Sequence, residues 1–223
     1  MRESPWSAPG TVAGFAQSPP NAVLMRFAGE LRAAGAHRAL DLGCGAARNA
    51  VPLAEAGWEV FGLDDSMPML DAAARRARAA GVAARVRLAC ATMDRLPVRA
   101  GSFDLVIAHG IWNLARDGEE FRRAVREAAA AASPGAGLFV FTFSRNTFGP
   151  EAPPVPGESF VFTQFSGSPQ VFLTGAQLVT EMAAAGFEPH PSVPLTEYNR
   201  PPAGALRAGG PPVIYEAAFR LGA

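Results

Sequence analysis

Residues 39–65 constrain this chain more than any other stretch. Ala39 to Leu42 reads as the end of a short buried strand, Gly43-Cys44-Gly45 as a sharp turn, and Ala46 to Glu55 as a helix. A second apolar run, Val60-Phe61-Gly62-Leu63, ends on Asp64-Asp65. The two turn glycines let the backbone reverse sharply and let a ligand approach the main chain. The acids stand where ribose hydroxyls would be met. Strand, glycine turn, helix, strand, acid is the order of a βαβ nucleoside site.

The flanking sequence continues the alternation. Asn21 is placed to cap a helix carrying Val23, Leu24, Phe27 and Leu31 at helical spacing, and Gly35 stops it. Strands are predicted at Arg38 to Leu42, Glu59 to Leu63, Ala84 to Ala89, Phe103 to Ala108 and Gly137 to Phe143. Between them, Ser66 is placed to cap a helix that Gly81 ends, and Glu119 to Ala132 forms another. After Ser144 the rhythm breaks into a Pro- and Phe-rich insert, residues 145–173. A last helix, Gly175 to Ala185, precedes two final strands, Phe187 to Pro191 and Val213 to Leu221. Arg200 to Pro212 reads as a mobile linker between them. Alternating elements specify an α/β fold: a doubly wound, mostly parallel seven-stranded sheet with helices on both faces and a C-terminal antiparallel strand.

With 223 residues, 49% of them hydrophobic and 18% charged, the chain suits one globular domain, residues 1–223. Residues 1–20, rich in Pro, Ser and Gly, make little structure alone and read as a tail or lid. The formal net charge is +0, which leaves no electrostatic footprint for nucleic acid or an anionic membrane. Cys44 and Cys90 form neither a disulfide framework nor a metal pattern. No apolar run approaches a membrane span, and Met1 to Gly10 lacks an apolar leader core. A cytoplasmic protein is expected, of undetermined oligomeric state.

A glycine turn followed by an acid also opens dinucleotide-binding folds. Those want a third glycine where Arg48 stands, and an apolar residue where Asp41 stands. A carboxylate at Asp41 suits a ligand carrying an amine or sulfonium. Here the motifs become specific. Asp41-Leu42-Gly43-Cys44-Gly45-Ala46-Ala47-Arg48-Asn49 resembles the first motif of class I S-adenosylmethionine-dependent methyltransferases. Gly62-Leu63-Asp64-Asp65-Ser66-Met67-Pro68-Met69-Leu70 resembles their second. Leu96-Pro97, Ser102-Phe103-Asp104-Leu105-Val106 and Pro134-Gly135 resemble the stretches leading into their fourth and fifth strands. The resemblance covers roughly residues 38 to 143. Within the class, the Gly-Arg-Asn-Ala style resembles a subgroup that includes tellurite and thiopurine methyltransferases, with Ala47 in place of its last glycine at a tight helix start.

The resemblance implies a Rossmann-like sheet and S-adenosyl-L-methionine as cofactor, released as S-adenosyl-L-homocysteine after transfer to a small-molecule O, N, S or C nucleophile. Asp41, Gly43 and Gly45 would border the methionine part, with Cys44 also at the cofactor. Arg48 would bind the cofactor carboxylate or lie on an exposed helix face. Asp64 would hold the ribose hydroxyls, with Asp65 and Ser66 beside it, and Thr92 and Met93 would fall near the adenine. His109 would face the transferred methyl, as a general base or an acceptor contact. Trp112, Asn113 and Phe148 are candidates for the acceptor pocket, with Trp6 and Phe15 closing over it. No metal site is expected. A nicotinamide-dependent oxidoreductase and a non-catalytic binding protein of the same fold are the rival readings.

Overall fold

The computed structural model describes residues 5–200 and 210–222. After a short 3-10 turn at Pro5–Ser7 come α1 (Pro9–Gln17), α2 (Ala22–Ala33), β1 (Arg38–Leu42), α3 (Ala50–Glu55), β2 (Glu59–Asp64), α4 (Met67–Ala79) and β3 (Val86–Cys90). Then follow β4 (Phe103–His109), α5 (Gly118–Ala131), β5 (Ala132–Phe143), β6 (Val161–Phe162), β7 (Gln170–Val171) and α6 (Gly175–Ala184). The chain closes through β8 (Phe187–Pro189), β9 (Thr196–Tyr198) and β10 (Ile214–Leu221).

The main sheet runs β3-β2-β1-β4-β5-β10-β8, with β9 also paired to β10. The strands β1 to β5 are mutually parallel, and β10 is antiparallel to all its partners. Side chains of β1, β4 and β5 alternate between two buried faces. Ala39, Leu105, Ile107 and Phe139 meet residues of α2, α3 and α4, whereas Leu40, Val106, Leu138 and Val140 meet α5 and α6. Burial on both faces explains the near-unbroken apolar runs of these strands. The strand order reverses between β1 and β4, so their C-terminal ends, Leu42 and His109, flank the crevice where open α/β sheets take ligands.

Four expectations change. The helix after the glycine turn begins at Ala50, and Ala47 lies outside it at φ +59°, a left-handed conformation unfavourable for a residue with a Cβ. Strand β5 starts five residues early: Ser133-Pro134-Gly135 forms a bulge, where Phe103 faces Ala132 but Leu105 already faces Gly137. The sheet gains an eighth strand, β9, which shares the β10 edge with β8. And residues 9–17 are helical, because α1 docks: Val12 packs with Ala46, Met69 and Ala72, and Arg76 donates to the Ala16 and Ser18 carbonyls at its C-terminal end. Most of the expected linker, residues 201–209, lies outside the described residues, as do residues 1–4 of the N-terminal tail.

Candidate functional site

The turn between β1 and α3 is built by conformation and by smallness. Gly43 and Gly45 have φ +63° and +52°. A Cβ on Gly43 would come within 2.7 Å of Ile111 Cδ1, so the glycine is also what lets the β4 loop close on the turn. The Cys44 N–H donates to the Leu63 carbonyl at 2.8 Å, and the Gly45 N–H to Asp64 Oδ2 at 2.8 Å. The other Asp64 oxygen accepts the Ser66 N–H at 2.9 Å. Burial raises the Asp64 pKa, and these two backbone donors oppose the rise. Each carboxylate oxygen still has a free lone pair for a hydroxyl donor.

Asp41, at the penultimate position of β1, is 2% exposed, and its Oδ2 has no hydrogen-bond partner. Burial, reinforced by the Asp64 charge and opposed by Arg48, pushes its pKa up to about 7. Arg48 is half-buried, its Nε is likewise without a partner, and burial lowers its pKa against the pull of Asp41. Two opposite, incompletely satisfied charges thus flank one glycine turn.

His109, at the end of β4, lies flat against Phe141 with ring centroids 4.3 Å apart. Its Nε2 faces Asn21 Nδ2 at 3.2 Å and Arg48 Nη2 at 3.4 Å. Burial, and then the Arg48 charge, lower its pKa to about 4, so it is neutral near pH 7. A ring nitrogen already facing two donors is poorly placed to take a proton from an acceptor.

Two adjoining cavities open at this turn, and Asp41 lines neither of them. The larger, about 400 Å³, is walled by Leu63, Thr92 and Met93; the smaller, about 220 Å³, by Arg48, His109 and Phe141. Gly43, Asp64, Asp65 and Ile111 line both, and Trp6 forms part of their common wall. Phe15 meets Trp6 edge-on at 5.9 Å and lines the smaller cavity. The N-terminal segment therefore covers this groove rather than the insert.

Not every predicted side chain arrives. Cys44 turns inward, its Sγ packed where a Cβ on Gly62 would sit, and burial raises its thiol pKa. Ser66 Oγ pairs with Ser7 Oγ at 3.1 Å. Trp112 is fully buried edge-on to Phe121, and Asn113 is 2% exposed. The 3-10 turn Trp112–Leu114 aims those two at the core and leaves Ile111 and Leu114 to line the groove. Phe148 belongs to the insert's own aromatic cluster, against Phe162 and Phe172, stapled by Arg145 stacked over Phe148 and Phe162. None of these three lines either cavity. Ile111, Leu114, Phe141, Asn21 and Glu216 were absent from the expected set. Glu216 had one visible signal, a lone acid in the apolar run Ile214–Leu221. Among the described residues no group of three or more His, Cys, Asp or Glu is arranged to hold a metal, and no helix is long and apolar enough to cross a membrane.

Against known proteins, a family model described as "Methyltransferase domain" matches residues 39–135. The chain is 31% identical over 154 residues to a ubiquinone biosynthesis O-methyltransferase of Azorhizobium caulinodans, covering 68% of this chain and 58% of that protein. It is 34% identical over 114 residues to a demethylmenaquinone methyltransferase of Renibacterium salmoninarum, covering 51% and 44%. The chain thus spans about half the length of the curated relatives it matches. A crystal structure of Burkholderia thailandensis 1,6-didemethyltoxoflavin-N1-methyltransferase, with bound 1,6-didemethyltoxoflavin and S-adenosylhomocysteine, superposes with a TM-score of 0.65 at 20% identity, over 91% of this chain and 79% of that one. At that identity the likeness is one of fold.

Proposed function

The chain belongs to the class I S-adenosylmethionine-dependent methyltransferases, and from that premise we propose that it transfers a methyl group from S-adenosyl-L-methionine to a small-molecule nucleophile. The observation that carries the reading is Asp41 Oδ2, a buried carboxylate oxygen without a partner beneath a glycine turn. Such an atom costs about 1–3 kcal/mol or more unless a ligand satisfies it. A cationic amine does so, and its charge draws the Asp41 proton off. The unpartnered Arg48 Nε supplies the matching donor for a carboxylate. An α-amino acid end, ammonium toward Asp41 and carboxylate toward Arg48, fits this charge pair.

The other residues divide the remaining work. Asp64, with Asp65 beside it, accepts from ribose hydroxyls, and Thr92 and Met93 bound the adenine side. When bound, the cofactor supplies an electrophilic sulfonium methyl. The protein's own contribution is alignment and exclusion of water: Trp6 and Phe15 cover the groove, and Phe141 with the neutral His109 bounds the reacting end. His109 serves as a contact here rather than a base.

The acceptor is a small molecule. Zero net charge argues against nucleic acid, and the sequence relatives named above are a ubiquinone biosynthesis O-methyltransferase and a demethylmenaquinone methyltransferase. Two free cysteines, Cys44 and Cys90, suit a reducing cytoplasm. The test is methyl transfer from labelled cofactor to a panel of phenols, quinols, thiols and N-heterocycles. Formation of a methylated product with any of them, lost in Asp41→Asn, is the expected result. Cofactor binding with no transfer across the panel would favour the non-catalytic reading.

A further inference from the structure

Asn21 belongs to none of the motifs that define the groove, yet its side chain reaches His109, which lines it. Its Oδ1 accepts the Leu24 N–H at 2.9 Å, the ordinary N-cap bond of α2, so its amide nitrogen points the opposite way. There Nδ2 donates to Glu216 Oε1 on β10 and faces His109 Nε2 at 3.2 Å. The Asn21 main-chain N–H donates to Asn49 Oδ1, in the glycine loop, at 3.0 Å. Glu216 is 6% exposed, a buried acid whose carboxylate holds the amide in this orientation.

Around the His109 ring stand Arg48 from the glycine loop, Asn21 from the α2 cap with Glu216 behind it, and the rings of Phe139 and Phe141 from β5. Arg48 and the Asn21 amide nitrogen can only donate. The His109 Nε2 is therefore an acceptor, and the ring proton lies on Nδ1. One capping amide thus dictates the tautomer of an imidazole on another element.

We propose that Asn21, anchored by Glu216, is a positioning residue that holds the neutral His109 ring as its Nδ1-protonated tautomer beside the groove. The consequence for catalysis rests on the methyl-transfer reading, because a sulfonium cofactor is a cation. A protonated imidazole next to Arg48 would add a like charge near the sulfonium, whereas the neutral ring does not. The neutral sulfide product is indifferent to that charge. A neutral ring at this position therefore leaves the site able to hold the cofactor as tightly as the product.

The test uses the full chain. In ¹⁵N-histidine NMR spectra the wild type shows His109 as the Nδ1-protonated tautomer at neutral pH. Asn21→Ser keeps a good N-cap but deletes the amide. In it, Nε2 loses one of its two donors and the Nε2-protonated tautomer becomes populated. Glu216→Gln, which retains an acceptor for Nδ2, keeps the wild-type tautomer, and Glu216→Ala, which frees the amide, raises the share of the Nε2-protonated tautomer as Asn21→Ser does. An Nδ1-bare His109 in the wild type, or an unchanged tautomer ratio in folded Asn21→Ser, overturns the proposal. If Asn21→Ser does not fold, Glu216→Ala and the wild-type tautomer decide it. Failure of the wild type to bind S-adenosylmethionine or S-adenosylhomocysteine strikes the methyl-transfer reading alone, since the tautomer is read without ligand.

Discussion

Asp64 Oδ2 accepts the Gly45 N–H at 2.8 Å, which ties the end of β2 to the glycine turn that follows β1. The acid is thus both a ligand group and a brace for the turn. Asp64→Ala is expected to weaken S-adenosylhomocysteine binding by about 1.5–3 kcal/mol and also to lower the melting temperature, because two backbone amides lose their acceptor. Asp65 is exposed and its carboxylate braces no backbone amide among the described residues, so Asp65→Ala should leave the melting temperature in place and affect binding less. Calorimetry and thermal melts on the pair separate the roles; the reverse ranking would exchange them.

Asp41→Asn should weaken ligand binding about tenfold or more while stabilising the free protein at alkaline pH. The folded pKa near 7 lies above the ordinary 3.8, so the native state keeps a proton that the unfolded state has lost. Stability from this group therefore falls as pH rises from about 4 to about 7, by a few kcal/mol. The variant should match the wild type near pH 4 and exceed it at pH 8 in chemical denaturation.

His109 contributes the opposite slope. Its folded pKa near 4 lies below the ordinary 6.5, so the native state loses stability as pH drops through that interval. The two groups offset each other between about pH 4 and 6.5, and the wild type should show a shallow profile there. Asp41→Asn alone exposes the His109 slope: its stability should rise with pH across the same interval.

Gly43→Ala meets two penalties: a left-handed φ of +63° and a Cβ only 2.7 Å from Ile111 Cδ1. A loss of about 1–2 kcal/mol from conformation alone is expected. Adding Ile111→Ala should relieve only the steric part, which a double-mutant cycle in urea would measure.

Ala47→Gly is the converse case. Ala47 already occupies φ +59°, so glycine removes strain there while loosening the unfolded chain and giving up a buried methyl. The change should be neutral within about 1 kcal/mol, whereas Ala54→Gly, inside α3, should destabilise by about 1 kcal/mol or more. Urea midpoints of the two variants test the contrast.

The parts legible in the sequence are those governed by local pattern. The runs Leu40–Leu42 and Leu105–Ala108 announce strands buried on both faces, and Gly43, Gly45 and Asp64 mark the turn and its acid by type and spacing. What depends on which side of a turn a residue faces was not legible. Trp112 and Ile111 are adjacent and both apolar, yet one enters the core and the other lines the groove. Docking was equally hidden: α1 has weak local helix signals and exists through Val12, Met69 and Arg76. Phe148 looked like a pocket residue because nothing local shows that Phe162 and Phe172 enclose it. Asn21 showed its cap and concealed its second task, since Glu216 lies 195 residues away.

The most direct measurement is calorimetric titration of the purified, ligand-stripped chain with S-adenosylhomocysteine, alongside NAD and repeated on Asp41→Asn. Stoichiometric binding of S-adenosylhomocysteine, strengthening as pH rises through 7 and weakened in the variant, is the predicted result. Binding of NAD alone, or binding of S-adenosylhomocysteine that Asp41→Asn leaves unchanged, would contradict it.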